Sequence, residues 1–280
     1  MTRKHLVSTD WLAEHIESPD VVLIDGSWYL EITKRNGYEE YLEEHLPGAV
    51  YFDIDDIADT ASTLPHMLPN TTVFASKMRK LGIGDGQKIV IYDGEGYISA
   101  PRVWWTFRLM GVTDVVILEG GLPKWDDEQR PLDFGLVKRQ ERHFTARFDH
   151  GGVRDMDDVE KALATGSAQV VDTRAHGRFI GKDPEPREGV ASGHMKGAIN
   201  LPGADLLTID GQLKDNDGIR AAIAEAGIDL SKPIITSCGS GVTASLLNFA
   251  LEVIGHHDHS LYDGSWTEWV VAGKPIETGE

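Results

Sequence analysis

Residues 233–255 read PIITSCGSGVTASLLNFALEVIG, and this stretch determines the fold. Residues 233–237 are short and apolar, which predicts a buried strand. Residues 244–255 predict a helix with an apolar face. The loop Cys-Gly-Ser-Gly-Val-Thr (238–243) joins the end of the strand to the start of the helix. A strand that runs directly into a helix is typical of an α/β unit.

The organisation around this stretch occurs twice in the chain, at an offset of about 145 residues, which indicates an internal repeat. The matching segments keep the same order: VVLIDGSW (21–28) with VVDTR (170–174), HLPGAVYFDI (45–54) with HMKGAINLPG (194–203), KLGIGDGQKIVIYDGEG (80–96) with EAGIDLSKPIITSCGSG (225–241), EGGLPKW (119–125) with DGSWTEW (263–269), and RPL (130–132) with KPI (274–276). We therefore infer that one fold unit has been duplicated.

Each half alternates short apolar runs with segments of helical period. The predicted strands are 21–25, 49–52, 88–92, 115–118, 168–172, 198–201, 233–237 and 260–262. Such alternation predicts an α/β fold in which a mostly parallel sheet is flanked by helices. We expect one domain over residues 1–135, a charged linker over 136–152, and a second domain over 153–280.

Composition excludes several classes of protein. The chain has 280 residues, 41% of them apolar, so it can form packed cores. Its net charge of −18 argues against nucleic acid and against an anionic membrane surface as partners. The chain shows no run of 18 apolar residues and no secretory signal. The single cysteine allows no internal disulfide and no cysteine-rich zinc site, which indicates a reducing compartment and a cytoplasmic location.

The loop after residue 237 has the composition of an anion site. Gly239 and Gly241 let the backbone curl so that successive amides point inward, at the positive end of a helix dipole. These donors would stabilise a thiolate on Cys238, and equally a persulfide anion, Cys–S–S⁻. The alternative is an inert buried cysteine. Asp93 occupies the matching position in the first half, which indicates one working copy of the loop and one non-catalytic copy.

Eight motifs give the chain a resemblance to a known family. They are FDID (52–55), HMLP (66–69), SAPRVWW (99–105), GRF (177–179), EPREG (185–189), GHMKGA (193–198), CGSGVTA (238–244) and YDGSW (262–266). Over nearly its whole length the chain resembles the two-domain rhodanese-type sulfurtransferases, in particular those that use mercaptopyruvate. The resemblance implies two tandem rhodanese-like domains, a persulfide on Cys238 and no metal or organic cofactor.

The residues after the cysteine bear on the sulfur donor. Relatives that prefer thiosulfate typically carry basic residues at the two positions occupied here by Gly239 and Ser240. The resemblance therefore implies 3-mercaptopyruvate as donor, with pyruvate released and the sulfur passed to a thiol, cyanide or a thioredoxin-like protein. The loop residues expected to hold the substrate sulfur are Gly239, Gly241, Val242 and Thr243.

Three arginines follow the first strand of the second half. Arginine presents a planar fork that matches carboxylate and carbonyl oxygens. The resemblance implies that Arg178 and Arg187 bind the carboxylate and ketone of the donor. Arg174 follows Asp172 closely and is predicted to be a structural ion-pair partner. The alternative for all three is a solvated, charged loop.

Ser240, His66 and Asp55 are the residues of a relay that the resemblance implies. Such a serine–histidine–aspartate chain can move a proton near neutral pH. The alternatives are a loop histidine between two prolines and a helix-capping aspartate. His45 and His194 hold the same place in both halves, so we expect them to serve the shared fold. The clustered His256, His257 and His259 suit a polar turn better than a metal site.

Three other functions remain as alternatives. A thiosulfate sulfurtransferase would keep the chemistry and change the donor. A cysteine phosphatase shares the loop design, but its usual arginine six residues after the cysteine is Ala244 here, so phosphate would lose its clamp. A non-enzymatic binding module is the third, with the loop as a remnant.

Overall fold

A computed structural model describes residues 4–279 and divides the chain into two compact units. The first unit takes in the chain up to Ala61 together with Leu68–Asp149. The second takes in Ser62–Met67 together with the chain from His150 onward. The segment Ser62–Met67 therefore belongs structurally to the second unit, although its sequence lies in the first half. No helix among residues 4–279 is both long enough and apolar enough to cross a membrane.

The described part of the first unit contains a five-stranded parallel sheet in the order β1-β5-β4-β2-β3. Its strands are β1 (Leu6–Val7), β2 (Val21–Asp25), β3 (Val50–Tyr51), β4 (Lys88–Tyr92) and β5 (Val115–Leu118). Its α-helices are α1 (Thr9–His15), α2 (Gly37–Glu43), α3 (Thr71–Lys80), α4 (Ala100–Leu109) and α5 (Gly121–Asp127), and residues Glu31–Thr33 form a 3-10 turn.

The second unit repeats this topology, with the strand order β6-β10-β9-β7-β8 and parallel pairing throughout. Its strands are β6 (Val153–Arg154), β7 (Gln169–Asp172), β8 (Ile199–Asn200), β9 (Ile234–Ser237) and β10 (His259–Tyr262). Its helices are α6 (Met156–Thr165), α7 (His176–Phe179), α8 (Asn216–Glu225), α9 (Ala244–Val253) and α10 (Ser265–Val271), with 3-10 turns at His150–Gly152 and Gly203–Leu206.

The α/β fold predicted from the alternating pattern is confirmed, and all eight predicted strands are present. The sequence missed the edge strands β1 and β6, because their two residues lie in no longer apolar run, unlike β3 in AVYF (49–52) and β8 in AINL (198–201). The helix predicted over 244–255 ends at Val253. Leu81 and Ala226 are the C-cap residues of α3 and α8 and are half-buried.

Several helices begin where the sequence places a capping side chain. Asn70 accepts a hydrogen bond from the amide of Val73 at 3.0 Å at the start of α3. Asp155 accepts from the amide of Asp158 at 2.9 Å at the start of α6. Such caps satisfy amides that the first helical turn leaves without a backbone partner.

Both faces of each sheet are covered. Every residue of β2 is buried, and so is every residue of α9. Strands buried on both faces read as continuous apolar runs, which explains why the sequence shows no strand alternation here. Four large aromatic side chains are buried in these layers: Trp104, Trp105, Trp266 and Trp269.

His45 and His194 play matching structural roles in their own units. The Nδ1 atom of His45 bonds the carbonyl of Tyr41 at 2.7 Å, and the two rings stack. The Nδ1 atom of His194 bonds the carbonyl of Phe179 at 2.9 Å, again with stacked rings. This is the shared structural role expected of a histidine present in both halves.

The charged segment after α5 contains little regular structure. Its residues as far as Asp149 lie in the first unit. Phe144 is buried and packs edge-on against Phe74 and Phe107. Residues 136–149 of the predicted linker therefore cover the core of the first unit.

The strand register places the two equivalent loops at the carboxyl edge of each sheet. Asp25 at the end of β2 lies opposite Tyr92 at the end of β4, and Asp93 follows. Asp172 at the end of β7 lies opposite Ser237 at the end of β9, and Cys238 follows. Ligand sites in open parallel sheets form at this edge.

Candidate active site

Cys238 lies at the head of its loop and is 2% exposed. Its amide donates to Oγ of Ser265 at 3.2 Å, and its carbonyl accepts from the amide of Trp266 at 3.0 Å. The carbonyl of Gly239 accepts from both the amide and the hydroxyl of Thr267, at 3.0 and 2.7 Å. The start of α10 therefore fixes the base of the cysteine loop.

Ser265 holds a left-handed backbone conformation with φ of 52°, which a residue with a Cβ rarely adopts. In the first unit Gly121 holds the matching place with φ of +57°. The equivalence is visible in the hydrogen bonds, because the amide of Leu122 donates to the carbonyl of Asp93 at 3.1 Å. A serine at this strained position in the second unit supplies the acceptor for the amide of Cys238.

In the equivalent loop of the first unit, backbone amides donate to the carboxylate of a side chain of the loop itself. The carboxylate of Asp93 is buried and accepts hydrogen bonds from the amides of Glu95, Ser99 and Ala100 at 3.0, 2.8 and 2.7 Å. In the second unit the N-cap of the following helix is Thr243, five residues after Cys238, whereas Ser99 is six residues after Asp93, so the second loop is one residue shorter. The loop of the first unit thus shows how converging amides at this sheet edge hold a negative group.

The predicted loop residues all lie in the turn that leads into α9. Gly241 has φ of +77°, a conformation that glycine adopts without strain. Ser240 and Val242 are buried, and Thr243 is the N-cap residue of α9. The hydroxyl of Ser245 donates to the carbonyl of Gly241 at 3.1 Å, which ties the turn to the first turn of the helix.

Arg174 is the structural arginine that the sequence predicts. Its guanidinium donates to both carboxylate oxygens of Asp172 and to the carbonyl of Gly193, and it lies over the ring of Trp266 at 4.4 Å from the centroid. Burial acts to lower the pKa of Arg174, but Asp172 and Glu185 more than offset this and raise it. Arg174 therefore stays charged and immobile.

Arg178 reaches the cysteine loop. A Cβ added at Gly239 would lie 3.2 Å from Nη2 of Arg178, so the guanidinium lies beside the residue after Cys238. The same Nη2 donates to Oε2 of Glu185. The side chain of Arg178 is 21% exposed, and glycine at position 239 leaves room for it.

Arg187 and His66 are brought together in the second unit. The Nη2 atom of Arg187 donates to Nε2 of His66 at 3.0 Å. His66 is 7% exposed and has a left-handed backbone with φ of 60°. Because arginine only donates, Nε2 must accept, and the neutral ring then carries its proton on Nδ1.

Asp55 lies in the first unit, where its Oδ2 accepts from the indole N–H of Trp28 at 3.1 Å. Ser240 lies in the cysteine loop and His66 in the segment grouped with the second unit. The relay through these three side chains stays a prediction.

Sequence reasoning missed two residues that organise the site. In the sequence Glu185 stands out only as part of EPREG, and Ser265 only as part of YDGSW. The position of Glu185 between Arg178 and Arg187 was the available signal for it. However, Asp183 and Glu188 lie as close to these arginines in the sequence. Ser265 gave no such signal, because only the left-handed backbone reveals its role.

Comparison with known proteins identifies the family to which both halves belong. The family model for the rhodanese-like domain matches residues 8–128 and again 155–272. The chain is 41% identical to human 3-mercaptopyruvate sulfurtransferase, over 96% of this chain and 93% of the human protein. It is 40% identical to the thiosulfate sulfurtransferase of Cricetulus griseus, with the same coverage.

A solved structure matches at the level of the fold. The crystal structure of SseA, a 3-mercaptopyruvate sulfotransferase of Escherichia coli, superposes with a TM-score of 0.87 at 41% identity, covering 94% of this chain and 98% of SseA. Both halves of the chain are thus matched by one family. The chain belongs to the rhodanese family of sulfurtransferases and carries two rhodanese-like domains in tandem.

Proposed function

We propose that this protein transfers sulfur from 3-mercaptopyruvate through a persulfide on Cys238. One observation carries the proposal: Cys238 heads a loop whose counterpart holds the carboxylate of Asp93 with three amides. A loop of this design in the second unit favours a thiolate, and then a persulfide anion, at the same place.

The reaction balances without a cofactor. The Cys238 thiolate attacks the sulfur of 3-mercaptopyruvate, forming an S–S bond as the C–S bond breaks. The electron pair of the broken bond leaves on carbon as the pyruvate enolate. The proton from the donor thiol ends on that carbon, which gives pyruvate and Cys238–S–S⁻. Attack by an acceptor nucleophile on the outer sulfur then restores the thiolate.

Two arginines suit the oxygen atoms of the donor. Arg178 lies beside Gly239, and Arg187 is held by His66. We assign them to the carboxylate and the ketone, where a guanidinium also stabilises the charge that develops on the enolate oxygen. Gly239, Gly241, Val242 and Thr243 form the cradle for the transferred sulfur.

The cysteine loop favours mercaptopyruvate over thiosulfate. Overall identity does not distinguish the donors, because the named relatives of both kinds are 41% and 40% identical. Gly239 and Ser240 bring no charge next to Cys238. A neutral loop suits a donor with one carboxylate held elsewhere better than a dianion.

We assign proton transfer to Ser240, together with His66 and Asp55 as the resemblance to the family implies. The hydroxyl of Ser240 is two residues from the thiol and can protonate the leaving enolate. With Nε2 of His66 accepting from Arg187, its Nδ1–H is the proton that the ring can offer. The acceptor of sulfur is a small thiol, cyanide or a thioredoxin-like protein, and the location stays predicted as cytoplasmic.

Steady-state kinetics with both donors tests this proposal. We expect a kcat/KM for 3-mercaptopyruvate at least about a hundredfold above that for thiosulfate, with pyruvate released in step with sulfur transfer to cyanide. Cys238→Ser should abolish both pyruvate release and sulfur transfer to cyanide. Equal or greater use of thiosulfate would favour the thiosulfate alternative, and activity that survives Cys238→Ser would reject the persulfide.

A further inference from the structure

Glu185 is a buried carboxylate shared by two arginines. Its side chain is 3% exposed. Its Oε1 accepts from Nη1 of Arg174 at 2.6 Å, and its Oε2 accepts from Nη2 of Arg178. A carboxylate can be buried at low cost when both oxygens have charged donors, so this position is built around the two arginines.

Arg174, at one end of this series of ion pairs, is held rigidly. Arg174 is fully buried and bonds Asp172 through both carboxylate oxygens at 2.6–3.0 Å. Its Nη2 also donates to the carbonyl of Gly193 at 2.7 Å, and its face packs on Trp266. Glu185 is therefore anchored through a guanidinium that has no room to move.

The other end reaches the site. A Cβ built on Gly239 would lie 3.2 Å from Nη2 of Arg178. This nitrogen therefore lies directly beside the residue that follows Cys238. The Nε of Arg178 is buried and has no hydrogen-bond partner among residues 4–279. Glu185 thus fixes the guanidinium through one nitrogen, while 21% of the Arg178 side-chain surface stays exposed for a substrate.

We propose that Glu185 is a positioning residue for the sulfur donor: it transmits the rigidity of Arg174 to Arg178 and holds that guanidinium beside Gly239. This inference rests on the proposed function, in which Arg178 binds the donor. A loose arginine must be ordered when the donor binds, whereas a held one is already in place.

A positioning role for Glu185 predicts that sulfur transfer from the donor is impaired and that sulfur transfer to the acceptor is unchanged. Glu185→Gln keeps the size of the side chain and one acceptor, but removes the charge that both arginines share. Arg178 then loses its fixed place, so the KM for 3-mercaptopyruvate should rise about tenfold, with a smaller change in kcat. Discharge of a preformed persulfide to cyanide should not change, since the donor has already left.

A double-mutant cycle separates this role from a merely structural one. We would measure KM for 3-mercaptopyruvate in the wild type, Glu185→Gln, Arg178→Ala and the double variant, with exposed Glu188→Gln as the matched control. If Glu185 acts through Arg178, the double variant should bind the donor no worse than Arg178→Ala alone. Glu188→Gln should behave as the wild type.

Three outcomes would overturn the inference. The first is an unchanged KM in Glu185→Gln despite a lower Tm, and the second is a double variant whose increase in KM is the product of the two single increases. The third is an increase in KM in Glu188→Gln as large as that in Glu185→Gln. Should Glu185→Gln not fold, Glu185→Asp keeps the charge on a shorter stem. It should still raise KM in the wild-type background and add no further increase in the Arg178→Ala background. Failure of the wild type to accept sulfur would instead refute the proposed function, and it is measured first.

Discussion

The guanidinium of Arg187 donates to Nε2 of His66 across 3.0 Å, although 121 positions separate the two residues in the chain. His66 meets it from a left-handed backbone that costs a residue with a Cβ of order 1 kcal/mol or more. Strain of this kind persists where the surrounding structure enforces it. The contact orients one of the two arginines assigned to the donor.

His66→Asn separates the side-chain contact from the backbone. Asparagine tolerates the left-handed region but is too short to reach Arg187. We expect a Tm close to that of the wild type and a KM for 3-mercaptopyruvate raised about tenfold, since Arg187 loses its orienting acceptor. An unchanged KM in a stable His66→Asn variant would show that the contact does not serve donor binding.

Ser265 should tolerate glycine better than alanine. Both substitutions remove the acceptor of the Cys238 amide, at a cost of about 2 kcal/mol in the free energy of unfolding. Glycine recovers about 1 kcal/mol of that loss because it adopts φ of 52° without strain, as Gly121 does at the equivalent place. Urea denaturation of Ser265→Ala and Ser265→Gly measures the difference, and equal or reversed stabilities would contradict it.

Asp93 should matter for stability rather than for chemistry. Asp93→Ala leaves the amides of Glu95, Ser99 and Ala100 without their acceptor, which should destabilise the first unit by about 2–3 kcal/mol. Asp93→Asn keeps one oxygen and should cost less. Sulfur transfer by the folded variants should remain close to that of the wild type. A full loss of activity in Asp93→Asn at wild-type stability would mean that the first loop takes part in the reaction.

Asp25 should make the first unit less stable as pH rises. Burial raises the pKa of Asp25 to about 6, despite the amide of Ser27 that donates to its Oδ1 at 2.9 Å. Below about pH 4 the group is protonated in both the folded and unfolded states, so it has no effect on stability. Between about pH 4 and pH 6 only the folded state keeps the proton, and the free energy of unfolding falls with rising pH.

The free energy of unfolding of Asp25→Asn should therefore equal that of the wild type near pH 4. Above pH 6 it should be higher than that of the wild type by up to about 3 kcal/mol. Its amide oxygen can still accept from Ser27. Denaturation curves at a series of pH values give this difference. A gain that is constant with pH would contradict the raised pKa.

Much of the fold could be predicted from local patterns. The repeat, the strand ends at Asp25 and Asp172, and the loop that begins at Cys238 all follow from apolar runs bounded by polar residues and glycine. The ion-pair role of Arg174 followed from its spacing to Asp172. These features depend on neighbours close in sequence, which is why the sequence reveals them.

Long-range contacts could not be predicted from patterns of this kind. Nothing local places Ser62–Met67 with the second unit, or His66 against Arg187. The place of Glu185 between two arginines depends on side-chain directions after the chain turns. The edge strands β1 and β6 are two residues long and lie in no longer apolar run. Each of these is fixed by tertiary packing.

The persulfide can be weighed in the intact protein after exposure to 3-mercaptopyruvate without an acceptor. We expect a gain of one sulfur atom located on Cys238, one equivalent of pyruvate released, and return to the original mass when cyanide is added. An unchanged mass with no pyruvate, or a sulfur atom on any other residue, would contradict this expectation.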